Sequence, residues 1–225
     1  LINTLYLNRN PQALWSTSSD GTLKKWSWHQ LDELEVIDVA KLLGKKASMA
    51  TLWVEPGERR ILAGTHRGLL VALEKGPDGR WKAQETPTAS MALYSCAEAA
   101  EAGAVLFAGQ EQFGCYLYDL KAGRLDPAGS LETCPFWFTE GPPGRSALVA
   151  GTGALVTYDA RREADGAVTC GLRGYVNTDL GAVYAAAWVP GRDLLALGNA
   201  EGEICFVRSQ DLMGDAAVVE RYGPR

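Results

Sequence analysis

One pattern recurs along the whole chain with a period near 45 residues, and no other feature narrows the possible folds as far. A period of that length marks a chain built from stacked copies of one supersecondary unit. Five segments carry it: ALWSTSSDGTLKKWSW at 13–28, ILAGTHRGLLVALE at 61–74, VLFAGQEQFGCYLYDL at 105–120, ALVAGTGALVTYDA at 147–160 and LLALGNAEGEICFVRS at 194–209. Each reads as an apolar run ending in a small residue, a short turn, and a second apolar run. The small residues Ser16, Gly64, Gly109, Gly151 and Gly198 are spaced 48, 45, 42 and 47 apart. A second set of anchors, Trp26, Leu73, Tyr118, Tyr158 and Val207, follows at 47, 45, 40 and 49. The two sets drift together, so the period is not an accident of glycine frequency.

Each hairpin is preceded by another apolar stretch (TLYLNRNPQ, TLWVEPGERR, YSCAEAAEAGA, CPFWFTEGPPGRS, AAAWVPGRD) and followed by a fourth (EVIDVA, WKAQET, RLDPAGSL, VTCGLRGYV, AAVVERYG). Four short strands per repeat, with turn residues between them, predict an all-β chain of about five four-stranded antiparallel sheets. A sandwich has no such long period, whereas radial repetition of four-stranded blades has. The expectation is a β-propeller with blades at 1–46, 47–89, 90–132, 133–179 and 180–225. Asp20-Gly21, Arg67-Gly68 and Glu201-Gly202 stand where a hairpin needs positive φ. A helical turn is expected only at 38–44.

SSDGTLKKWS with Trp26 resembles the hairpin and third strand of a WD-repeat blade, and LYDL at 117–120 and TYDA at 157–160 resemble the same strand end with Tyr for Trp. The likeness extends over all five repeats, but Ser27 replaces the usual Asp and no Gly-His dipeptide precedes a repeat. The hydrogen-bonded tetrad of that family is therefore not carried over to this chain. What the resemblance implies is a divergent WD-type propeller used in protein–protein interaction. Such rings close by borrowing an outer strand from the N-terminus, and here LINTLYLN aligns with the first strand of later repeats. We read the sequence as an excerpt: an arc of a larger ring, for example seven-bladed, with further blades from the parent chain or a partner. A five-bladed ring sealed by side-chain packing is the other possibility.

The 22 basic and 27 acidic residues give a net charge of −5, which argues against nucleic acid as the main partner. No apolar run approaches the roughly 18 residues of a membrane span. Cys96, Cys115, Cys134, Cys170 and Cys205 include no C-x-x-C pair, so free thiols in a reducing, cytoplasmic setting are expected. Nothing at the start resembles a secretory signal. Residues 1–82 carry a net +3 and residues 83–225 a net −8, a polarity that would steer a complementary partner.

Catalytic constellations are missing from the pattern. The first strands of the repeats contain no acid that could pair with another as glycosidases require. His29 and His66 have no ligand-spaced neighbours, GTGAL at 151–155 lacks the lysine of a phosphate loop, and no serine sits in a nucleophile elbow. No catalytic residue, metal or cofactor is assigned. Trp53, Trp137 and Trp188 recur at one place in the repeat and read as packing residues, whereas Trp28 and Trp81 are the candidates for exposed anchors. The function expected is a non-catalytic recognition scaffold; the competing one is a propeller enzyme or glycan binder with its site in a central channel. Contact residues are expected on the turns between second and third strands (Asp20, His66, Arg67, Gln110, Glu111, Gln112, Asn199, Glu201) and on the links between repeats (Lys45, Lys46, Asn177, Asp179).

Overall fold

The structure is a computed structural model that describes residues 1–9, 12–109, 114–129, 135–139, 148–189, 192, 194–208 and 218–222. Among these, 9, 12, 129, 135–139, 148–159, 172–179, 184 and 218–222 are described through their backbone alone. The fold is all-β, built of antiparallel sheets, and divides into two units, Leu1–Ser95 and Cys96–Arg225.

In the first unit β1 (Ile2–Arg9), β2 (Gln12–Ser18), β3 (Thr22–Ser27) and β4 (Glu33–Asp38) form one sheet in sequential order. A second contains β5 (Met49–Val54), β6 (Arg60–Thr65), β7 (Leu69–Lys75) and β8 (Trp81–Pro87). Side chains alternate between faces along a strand, and the cross-strand partners Tyr6, Trp15 and Lys25 therefore share one face of the first sheet with Leu23 and Ile37. That face buries Trp15, Leu23 and Ile37 against Leu52, Val54, Ile61, Ala63, Val71 and Leu73 of the second sheet. Burial of each large side chain contributes about 1.5–3 kcal/mol.

The expected helical turn is α1, Val39–Leu43, between the two sheets. Asp38 caps it by accepting from the Lys41 amide at 2.9 Å, and Gly44 ends it in the left-handed conformation.

Two carboxylates tie the sheets together. Glu58, in the β5–β6 turn at φ 52°, accepts from the Trp15 indole (3.1 Å) and the Asn8 amide (3.4 Å), and pairs with Lys25. Glu35 on β4 accepts from the Trp81 indole (2.7 Å) and Lys75 (2.9 Å), while the Lys75 ammonium lies 5.1 Å from the Trp81 ring centre. Burial alone would raise the Glu35 pKa, but these two donors and the Lys75 charge outweigh it and hold the carboxyl below its ordinary value. Trp81 is thus a half-buried bridge between sheets, which corrects its reading as an exposed anchor; Trp28 is 44% exposed. Glu58→Ala leaves the Trp15 N–H and the Lys25 ammonium without this partner in a largely dry interface. It is expected to cost about 2–3 kcal/mol in a urea titration.

A third sheet comprises β9 (Leu93–Ala99), β10 (Ala104–Gly109), β11 (Cys115–Asp119) and β12 (Arg124–Gly129), with a 3₁₀ turn at Ala100–Ala102. The remaining strands form one six-stranded sheet in sequential order: β13 (Pro135–Thr139), β14 (Leu148–Arg162), β15 (Val168–Trp188), β16 (Leu194–Asn199), β17 (Ile204–Arg208) and β18 (Val218–Tyr222). The hairpin expected inside 147–160 is not formed; β14 runs through it as a single strand of 15 residues. GTGAL offers no Asn-Gly or Asp-Gly pair to turn the chain, and a register shift between Thr152 and Ala154 absorbs the irregularity instead. β15 pairs with β14 as far as Ala182, opposite Thr152, and from Val183 onward it pairs with β16.

Cross-strand register also corrects one alignment. The pairs Thr17↔Leu23, Gly64↔Leu70 and Gly198↔Ile204 close equivalent hairpins, each with a positive-φ glycine at the same turn position (Gly21, Gly68 and Gly202). Thr17, not Ser16, therefore matches Gly64. A Cβ on Gly64 would stand 2.7 Å from the Cβ of Leu93, which explains why that position is empty of side chain.

Candidate functional site

The second-to-third-strand turns of the first unit are held down on the links between sheets. Asp20 Oδ1 accepts from the Thr22 amide (2.9 Å) and hydroxyl (2.7 Å), and these bonds lower its pKa while squaring the β2–β3 turn. The turn then abuts the link: the Val39 amide donates to Gly21 O at 3.0 Å, and a Cβ on Gly21 would lie 2.6 Å from Ala47 O. Ser48 O accepts from the His66 amide at 3.0 Å, which joins the same link to the β6–β7 turn. Thr65 Oγ1 shapes this second turn by accepting from the Arg67 (3.3 Å) and Leu69 (3.0 Å) amides. Gly68 O in turn accepts from the Thr88 amide (2.9 Å) and hydroxyl (2.7 Å) of the next link.

Turn, link, turn and link thus alternate along one edge of the first unit. Five expected contact residues are brought onto it. Asp20, Lys45, Lys46 and Arg67 are exposed, and half-buried His66 sets its ring edge-on to Tyr94 at 5.5 Å. Lys45 is paired with Glu85 at 2.6 Å in an exposed ion pair, a contact of small energetic weight.

The second unit repeats the device once among its described residues. Asn199 Oδ1 accepts from the Glu201 (3.1 Å) and Glu203 (2.9 Å) amides, and Asn199 Nδ2 donates to Leu180 O (3.1 Å) and to Glu203 (2.8 Å). Asn199 therefore spends its amide on holding the turn against the link, and Glu201 is exposed beside it. Asn177 and Asp179 lie on β15, where the backbone alone is described; Gln110, Glu111 and Gln112 lie outside the described residues.

Sequence reasoning missed a fully satisfied charge in the second unit. Asp119, which ends the LYDL strand, is joined to Arg162 by two bonds, Nη1–Oδ2 at 3.2 Å and Nη2–Oδ1 at 2.8 Å. Arg162 also donates to Ala102 O (3.1 Å), Gly103 O (3.3 Å) and Gly166 O (2.8 Å). All five guanidinium N–H donors are thereby used. The Arg162 bonds hold the Asp119 pKa down at about 2. This is a fastening between the third sheet and the β14–β15 hairpin, not a reactive group.

Among the described residues no group of three or more His, Cys, Asp or Glu side chains is placed to hold a metal ion. No disulfide joins Cys96, Cys115, Cys170 or Cys205, and burial raises the Cys115 pKa well above its ordinary value. No helix among the described residues is long and apolar enough to cross a membrane. No protein-family profile matches the chain, and no curated protein matches it significantly.

Proposed function

We propose that the chain is part of a WD-like β-propeller that serves as a rigid, non-catalytic platform for recognising a protein partner. The observation that carries this reading is the alternation of turns and links along one edge of the first unit. Backbone groups there are bonded to each other or to local side chains, so Lys46, Arg67 and Asp20 project from a frame that needs little ordering on binding. Preorganisation of that kind lowers the cost of association. With Lys45 beside them the edge carries three cations against one exposed acid, Asp20, on the turns and links themselves, and the partner that suits it presents an acidic segment.

Reversing Lys45, Lys46 and Arg67 to Glu is expected to abolish capture of the natural partner while shifting the melting temperature little, because substitutions at exposed positions move stability by about ±0.5 kcal/mol. The wild-type complex should weaken as salt is raised. Capture by the triple variant at wild-type strength would remove this edge from the account.

A further inference from the structure

Within the second unit two cysteines on neighbouring sheets lie in one core. Cys115 opens β11 opposite Ala108, on the face that also carries Leu117 and Asp119. Cys170 on β15 stands opposite Ala160 of β14, on the face that carries Val168 and Arg162. These two faces meet. Arg162 and Asp119 are bonded across them at 2.8 Å, and Val168 and Cys170 pack against the core cluster that contains Cys115, Leu117 and Ala160. Burial raises the Cys115 pKa, and the nearby Cys170 raises it further. The other two described cysteines are placed differently: Cys205 belongs to the cluster of Leu195 and Val207, and Cys96 lies between Ser95 and Ala97 on β9, on the opposite face from Ala97.

Alanine dominates this contact. Ala97, Ala99, Ala104, Ala108, Ala128 and Ala160 line it, so no row of long side chains holds the sheets apart. A disulfide between facing sheets needs that closeness, because its Cα atoms must stand about 4.4–6.8 Å apart whereas sheets ordinarily stack about 10 Å apart. Immunoglobulin domains carry a bridge of this inter-sheet kind.

We propose that Cys170 and Cys115 form a redox-sensitive pair: a hydroperoxide oxidises the half-buried Cys170, and Cys115 then closes a disulfide that fastens β11 to β15. The Cys170 thiolate attacks one peroxide oxygen, the O–O bond breaks, the other oxygen leaves as water or an alcohol, and Cys170 becomes a sulfenic acid. The Cys115 sulfur next attacks the Cys170 sulfur. The S–S bond forms, the S–O bond breaks, and the hydroxyl departs with the Cys115 proton as water. The two thiols together lose two electrons and the peroxide gains them. Access sets the order, since Cys115 is fully buried and its thiol is held protonated, whereas Cys170 is half-buried. The pair does not depend on the recognition role of the turns.

Peroxide treatment of the folded full chain, followed by alkylation in urea and peptide mapping by mass spectrometry, tests this. The peptides bearing Cys115 and Cys170 are expected to emerge joined, about 2 Da lighter than the two thiol peptides together, and to separate on treatment with dithiothreitol. The oxidised chain should melt several degrees higher than the reduced one, because the bridge constrains the unfolded chain. In Cys115→Ala the melting temperature should not respond to peroxide, and dimedone should trap Cys170 as the sulfenic acid. In Cys170→Ser the Cys115 thiol should stay unmodified. Cys115 and Cys170 peptides that remain separate after peroxide, a bridge from Cys170 to any other cysteine, or a Cys115–Cys170 bridge that forms only in urea overturns the proposal. The bridge itself is read in the wild type, so a variant that fails to fold leaves the test intact.

Discussion

Gly68→Val should destabilise the first unit by about 3 kcal/mol, combining a left-handed backbone penalty with an overlap that the neighbouring chain cannot relieve. Gly68 has φ 64°, and a Cβ built on it falls 1.7 Å from Ser90 O and 2.8 Å from the Ser90 carbonyl carbon. Ser90 is buried in the link between the second and third sheets, and that link is pinned by two bonds to Gly68 O. Relief would therefore require the turn and the link to separate. Gly79 supplies the control. Its φ is 76°, but nothing lies within 4 Å of a Cβ there, so Gly79→Ala bears the backbone penalty alone, about 1 kcal/mol. Urea midpoints for the two variants measure the difference. Equal losses would mean that the close approach of turn to link contributes nothing.

The second large effect belongs to Arg162. Arg162→Met removes the donor to both Asp119 oxygens and to three carbonyls at once, and Asp119, nearly buried, is left with only the Lys121 and Ala122 amides. A fall of several degrees in melting temperature is expected, together with a change in acid sensitivity whose sign follows from the shift. The folded-state pKa of Asp119 is about 2 against an ordinary 3.8, so its ionised form is favoured by folding. That stabilisation is complete above the ordinary value and is lost as pH falls through about 4 toward 2. In Arg162→Met the Asp119 contribution to the slope of stability against pH between 4 and 2 should shrink; Asp119→Asn should abolish it. Wild-type and Asp119→Asn chains with identical acid profiles would show that the pair does not couple to folding.

The β2–β3, β6–β7 and β16–β17 hairpins with their positive-φ glycines, and the helical turn after the fourth strand, were legible in the sequence, because each is local. A Gly four residues after the residue that closes a hairpin, or Asp38 ahead of an apolar turn, states its role within a few positions. The fastenings were not legible. Glu58 stands in EPGERR, where a carboxylate reads as a solvated turn charge, yet its partners Trp15 and Lys25 come from the preceding sheet. Arg162 ends β14, the first strand of the β14–β15 hairpin, and meets Asp119 43 residues earlier. Trp81 looked unassigned because its repeat position has no aromatic counterpart; its partner Glu35 is likewise particular to this one sheet pair. Charges that cross between repeats leave no periodic trace, since nothing obliges other repeats to copy them. The missing turn at 151–155 is the converse case: the repeat predicted a hairpin, but the local residues lack the chemistry to make one, and the strand continues.

For the contact residues, the structure adds placement to what their polarity alone suggested. Asp20, Lys45, Lys46, His66 and Arg67 fall on one edge because each turn of the first unit is bonded to the adjoining link. Hydroxyl-radical footprinting of the chain, alone and with the partner that the wild type captures and the Lys45/Lys46/Arg67 variant does not, measures directly whether that edge is the binding surface. The account predicts protection at 20–21, 45–48 and 66–67, with Trp28 and Leu31 at the other end of β3 still reactive. Protection at Trp28 and Leu31, with the turn and link residues unchanged, would contradict it.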